Sequence, residues 1–80
     1  MQADLDDFKS GWYGILLGLN ANEIDELIAA LHELKKHETH LHLRSEFEGE
    51  GGIGDIEIYF KKDQGNNNMV LEASATPTEK

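Results

Sequence analysis

Residues 20–47 read NANEIDELIAALHELKKHETHLHLRSEF, and a change of rhythm inside that stretch decides the fold class. In its first half Ile24, Leu27, Ile28, Leu31 and Leu34 recur every three or four positions, which lines them along one stripe of an α-helix. From His40 the spacing drops to two. Leu41, Leu43 and Phe47 point one way, with Ser45 breaking the run, while His40, His42, Arg44 and Glu46 point the other, as on a strand. The helix also carries its own start and stop signals. Asn20 can accept from a free backbone N–H, and Glu23 three residues on completes a capping box. Glu23, Asp25 and Glu26 suit the positive end of the helix dipole, and Lys35, Lys36 and His37 suit the negative end.

On the C-terminal side the rhythm of two returns twice. Ile56, Ile58 and Phe60 alternate with Glu57, Tyr59 and Lys61, which predicts a strand from about Asp55 to Lys62. The segment from Glu48 to Gly54 is too glycine-rich for regular structure and reads as a flexible hairpin connection. Asp63 to Asn68 reads as a turn, because Gly and Asn tolerate positive φ. Met69, Leu71, Ala73 and Ala75 alternate with Val70, Glu72 and Ser74, predicting a last strand that Pro77 ends. On the N-terminal side WYGILLGL, residues 12–19, reads as the first strand, with Gly14 and Gly18 marking a bulge or a close backbone approach. Trp12 is assigned to the core, with a contact anchor as the alternative reading should it be exposed. The acidic residues 1–10 and the tail 76–80 are expected to be flexible. The prediction is a single 1–80 domain of the α+β class. It is a two-layer sandwich, one helix packed on a four-stranded, mainly antiparallel sheet in the chain order β-α-β-β-β, with the far face open to water.

Composition narrows what such a domain does. A chain of 80 residues buries only about 60% of the surface its unfolded form exposes, too little to wall a deep catalytic cleft. With no cysteine there are no disulfides and no thiolate metal ligands. Sixteen Asp and Glu against seven Lys and Arg give a formal charge of −9. Direct binding to nucleic acid or an anionic membrane is disfavoured, since both draw affinity from Lys and Arg. A basic protein partner is favoured instead. The opening lacks a basic region followed by an apolar run, and the run Ile15 to Leu17 is far too short to cross a bilayer. A cytoplasmic protein, monomer or homodimer, is the expectation.

Candidate chemistry is sparse. No Ser, Thr or Lys sits in a recognisable nucleophile motif, and the glycine-rich segment carries Glu50 and opens a strand, so it makes no phosphate cradle. The chain is therefore read as a non-enzyme without a cofactor. His40 and His42 share a strand face and could ligate zinc, with Glu38 or Glu46 adding a carboxylate. Neither a cysteine nor a second distant ligand pair accompanies them, so they are read as solvent-facing strand residues, like His32 and His37 on the helix. The stronger signal is acidic. Glu46, Glu48, Glu50, Asp55 and Glu57 gather at one end of a hairpin with no basic residue between them, and Tyr59 follows on the same strand face as Glu57. Acids beside an exposed aromatic suit a partner-binding surface.

Four stretches, LNANEIDELIAALHEL, HLHLRSE, GGIGDIEIYFKKD and NNMVLEASATP, together resemble the bacterial immunity protein 32 family of polymorphic toxin systems over about residues 19–77. The resemblance implies an inhibitor that binds and neutralises a toxin made by the same genome, in many systems a nuclease with a basic active site. It brings no catalytic residues. Two other readings stand beside it: an anti-defence protein of a phage or mobile element that imitates nucleic acid, and a small metal-binding domain using His40 and His42.

Overall fold

A computed structural model describes residues 1–72. Among them the chain order is β-β-α-β-β: β1 (Gln2–Asp7), β2 (Tyr13–Gly18), α1 (Ala21–His37), β3 (His40–Arg44) and β4 (Asp55–Tyr59). The strands make two separate antiparallel hairpins, β1 with β2 and β3 with β4. The single four-stranded sheet expected in β-α-β-β-β order is therefore not formed, and its strand list is corrected on two further points. One strand lies ahead of the predicted first one, and the predicted last one does not form within the described residues.

The additional strand is the acidic opening. Gln2 to Asp7 pairs residue by residue with β2, from Gln2 opposite Gly18 to Asp7 opposite Tyr13. Acidic side chains weaken strand propensity, but the ladder satisfies backbone groups whatever the side chain, and here that term wins. The connection is tight. Phe8 N–H donates to the Trp12 carbonyl at 3.1 Å, Lys9 N–H donates to the Asp7 carboxylate at 2.9 Å, and Lys9 and Gly11 take positive φ. At Gly14, expected at a bulge or a close backbone approach, it is a side chain that comes close: a Cβ there would stand 2.9 Å from the Phe8 ring. Trp12, assigned to the core, is 75% exposed at the hairpin's turn, where no second layer reaches it.

Met69 to Glu72, the described part of the predicted last strand, has no ladder partner, and Met69, Val70 and Leu71 are exposed. Ahead of them Lys61 binds the Asp63 side chain and the Asp63 and Gly65 carbonyls, and Asn66 takes positive φ. The chain is folded on itself there, and no further strand joins β4 within the described residues. Residues 73–75 of that predicted strand and the tail 76–80 lie outside the described residues.

The helix forms as its signals require. The Asn20 side chain accepts from Glu23 N–H at 2.9 Å while the Glu23 carboxylate accepts from Asn20 N–H at 3.0 Å, a complete capping box. Glu38 closes the far end with φ 52° and ψ 52°, its N–H returning to the Leu34 carbonyl. That left-handed residue turns the chain directly into β3.

Packing is thin. Leu34, 9% exposed, is the buried apolar residue among the described residues, and it sits at the helix end that leads into β3, its carbonyl accepting from Glu38 and Thr39 N–H. Leu27 and Ala30 stand on its side of the helix and are half-buried. Ile24, Ile28 and Leu31 are exposed. At 100° per residue they form a row rotated roughly 60–100° from the Leu27–Leu34 line. The helix thus buries one margin of its apolar stripe and shows the other. A pocket of about 440 Å³ is lined by Met1 and Ala3 from the first hairpin and by Leu43 and Ile56 from the second. No helix among the described residues is long and apolar enough to cross a membrane.

Candidate functional site

The second hairpin carries the polar residues of interest. Its register sets His40 opposite Tyr59, His42 opposite Glu57 and Arg44 opposite Asp55, and all six share one face because successive side chains alternate. Leu41, Leu43, Ile56 and Ile58 occupy the other face and are half-buried. The ladder runs past both ends of the strands: Ser45 N–H donates to the Gly54 carbonyl and Phe60 N–H to the Thr39 carbonyl, each at 2.9 Å.

Within the face Asp55 is the organiser. Its carboxylate lies 3.0 and 3.2 Å from His42 Nδ1 and 3.3 Å from Arg44 Nε. A carboxylate only accepts, so the ring nitrogen turned toward it carries the proton, and in the neutral ring the lone pair is left on His42 Nε2. The His40 and His42 rings meet edge to face, centroids 5.1 Å apart at 89°. His40, His42 and Glu57 each offer a ligand atom, all within 4.8 Å of one another. Of the carboxylates expected beside the histidines, Glu38 is instead the helix cap, paired with Lys62 at 3.6 Å. Glu46 lies beyond the end of β3 and lines the inter-hairpin cavity. Glu57 takes the place foreseen for them, because pairing brings it across from His42.

The acidic cluster divides in two. Asp55, Glu57 and Tyr59 stand together on β4, with Tyr59 60% exposed. Asp55 spends its charge on Arg44 and His42. Glu46, Glu48 and Glu50 belong to the irregular connection, and among the described residues none of the three enters an ion pair. Between Glu46 and Glu48 stands Phe47, absent from the sequence-based candidates. The alternation sets it on the Leu41–Leu43 side of a strand, yet it takes φ 59° outside β3 and is 72% exposed. Its ring leans on Gly54, where a Cβ would come within 2.8 Å. A glycine facing an aromatic across a hairpin was the available signal.

No family model, curated protein or solved structure matches this chain.

Proposed function

We propose that the chain is a small acidic protein-binding domain that inhibits a basic partner, in the manner of the immunity proteins its sequence resembles, with a toxin domain as the cognate target. The observation that carries this reading is the connection between β3 and β4. There Glu46, Glu48 and Glu50 enter no ion pair among the described residues, and Phe47 between them is exposed. Unpaired carboxylates speed encounter with a basic surface, and an exposed aromatic at their centre supplies the desolvated anchor of an interface. The uncovered helix row of Ile24, Ile28 and Leu31 supports a protein rather than a small-molecule partner, since monomeric domains rarely leave a contiguous apolar strip to water. A toxin with a basic, phosphate-binding active site matches both the charge and the cytoplasmic setting in which such pairs act.

The test is co-expression with the toxin domain encoded beside the gene. Replacing Glu46, Glu48 and Glu50 with Lys should abolish protection and remove the salt dependence of association, while Phe47→Ala should weaken binding about 10-fold or more through faster dissociation. Protection unchanged in the triple variant would refute the acidic connection as the binding site. A phage operon in place of a toxin gene would favour the anti-defence reading over the immunity one.

A further inference from the structure

We propose that His40, His42 and Glu57 form a binding site for a divalent transition-metal ion, with Zn²⁺ the ion their donors suit. Two imidazole nitrogens and one carboxylate oxygen make a three-ligand set of the kind that leaves a fourth position open. Their ligand atoms already lie within 4.8 Å of one another. Tetrahedral bonds of about 2.0–2.2 Å place such atoms about 3.3–3.5 Å apart, so closure asks for roughly 1 Å of side-chain rotation on a solvent-facing surface. The strands need not move, because pairing of His42 with Glu57 and the two-residue spacing of His40 already aim the three side chains one way.

An independent observation points to the same use. Asp55 holds His42 Nδ1 at 3.0 Å, which in the neutral ring selects the tautomer that leaves Nε2 as the ligating atom. A carboxylate on the far nitrogen is the usual outer partner of a metal-bound imidazole, and it raises the basicity of the ligating atom. Arg44, 3.3 Å from the same carboxylate, restrains Asp55 in turn. His37, by comparison, meets only its helix neighbour Glu33, at 3.3 Å, with both side chains well exposed. A chain of formal charge −9 adds a favourable field for any cation. Tyr59 stands opposite His40 on the same face, and water or a side chain of another protein would complete the ligand set. The site does not rest on the proposed toxin partner.

Calorimetric titration of the full, tag-free chain with ZnCl₂ in metal-free buffer tests the assignment. One ion per chain is expected. Affinity should fall about 100-fold or more in His40→Gln and in His42→Gln, about 10–100-fold in Asp55→Asn, and not at all in His32→Gln or His37→Gln. Titration with Co²⁺ gives a readout that needs no substitution. Intense visible bands of a four-coordinate ion support the site, and the pale spectrum of the hydrated ion overturns it. Absence of saturable zinc uptake overturns it too, as does uptake that survives the double His40→Gln/His42→Gln change.

Discussion

The two hairpins are alike in plan and opposite in economy. Each seats a phenylalanine ring over a glycine, Phe8 on Gly14 and Phe47 on Gly54. Each places positive φ in its connection, at Lys9 and Gly11 in one and at Phe47, Gly49, Gly51 and Gly52 in the other. The first has paired strands of six residues and closes in a short, hydrogen-bonded turn. The second has strands of five and spends its remaining chain on a long acidic connection. They also attach to opposite ends of α1. β2 runs into the capped start of the helix through Leu19 and Asn20, whereas β3 leaves its end through Glu38 and rests near Leu34. The lesson is a division of labour: regular pairing serves the scaffold in one hairpin, and irregular backbone serves presentation in the other.

The attachment points are where that comparison can be broken, and Leu34→Ala should have the largest effect. Removing the buried leucine should cost about 2–3 kcal/mol, and hydrogen exchange should quicken in β3 and β4 well before β1 and β2. Loss of protection spread evenly over both hairpins would show that they unfold as one unit. Asn20→Ala attacks the other junction. It should cost about 1 kcal/mol in urea unfolding, since it strips the cap from the Glu23 N–H.

How far this division could be read in advance depended on which forces were local. The helix was fully legible, because the Asn20–Glu23 box and the basic last turn act within the segment itself. The strands β3 and β4 were legible for the same reason, each showing its period of two. The strand β1 was not: QADLDD hides Ala3 and Leu5 among acids, and only its pairing with β2 makes it a strand. Nor was the fate of Met69 to Glu72, since alternation marks a face that could pair without supplying a partner. At the candidate site His40 and His42 were visible as a pair. Glu57 and Asp55 became their neighbours only once the register was fixed, and register depends on how the connection folds.

A smaller change sharpens the contrast at the helix end. Glu38 holds a left-handed conformation that costs a residue with a Cβ, so Glu38→Gly should stabilise the chain by about 0.5 kcal/mol despite losing the exposed pair with Lys62. Thermal unfolding would register this as a small rise in midpoint, and a fall would mean that the Lys62 pair outweighs the backbone strain.

The smallest effect concerns acid. The Met1 ammonium beside Glu23, and then the Asn20 backbone N–H, hold the Glu23 carboxyl below its ordinary range, against a slight opposing effect of desolvation. A carboxyl lowered on folding contributes stability above its unfolded value, and that contribution is lost as pH falls through the folded value. Stability of the wild-type chain should therefore decline in that acidic window more steeply than that of Glu23→Gln, measured by urea midpoints at successive pH values. Parallel curves would remove Glu23 from the junction's account.

Splitting four strands into two ribbons has a consequence for how the molecule behaves in a crowd of its own copies. In a ribbon of two, every strand is an edge, with one row of N–H and C=O groups free to recruit another strand. The carboxylates of Asp4, Asp6 and Asp7 run along β1. A second copy docking there would bring like charges into register, a destabilising arrangement. Acid that serves neither a helix dipole nor a partner thus acts as a guard against strand-to-strand growth. It is a guard that concentrated salt, by screening it, would lower.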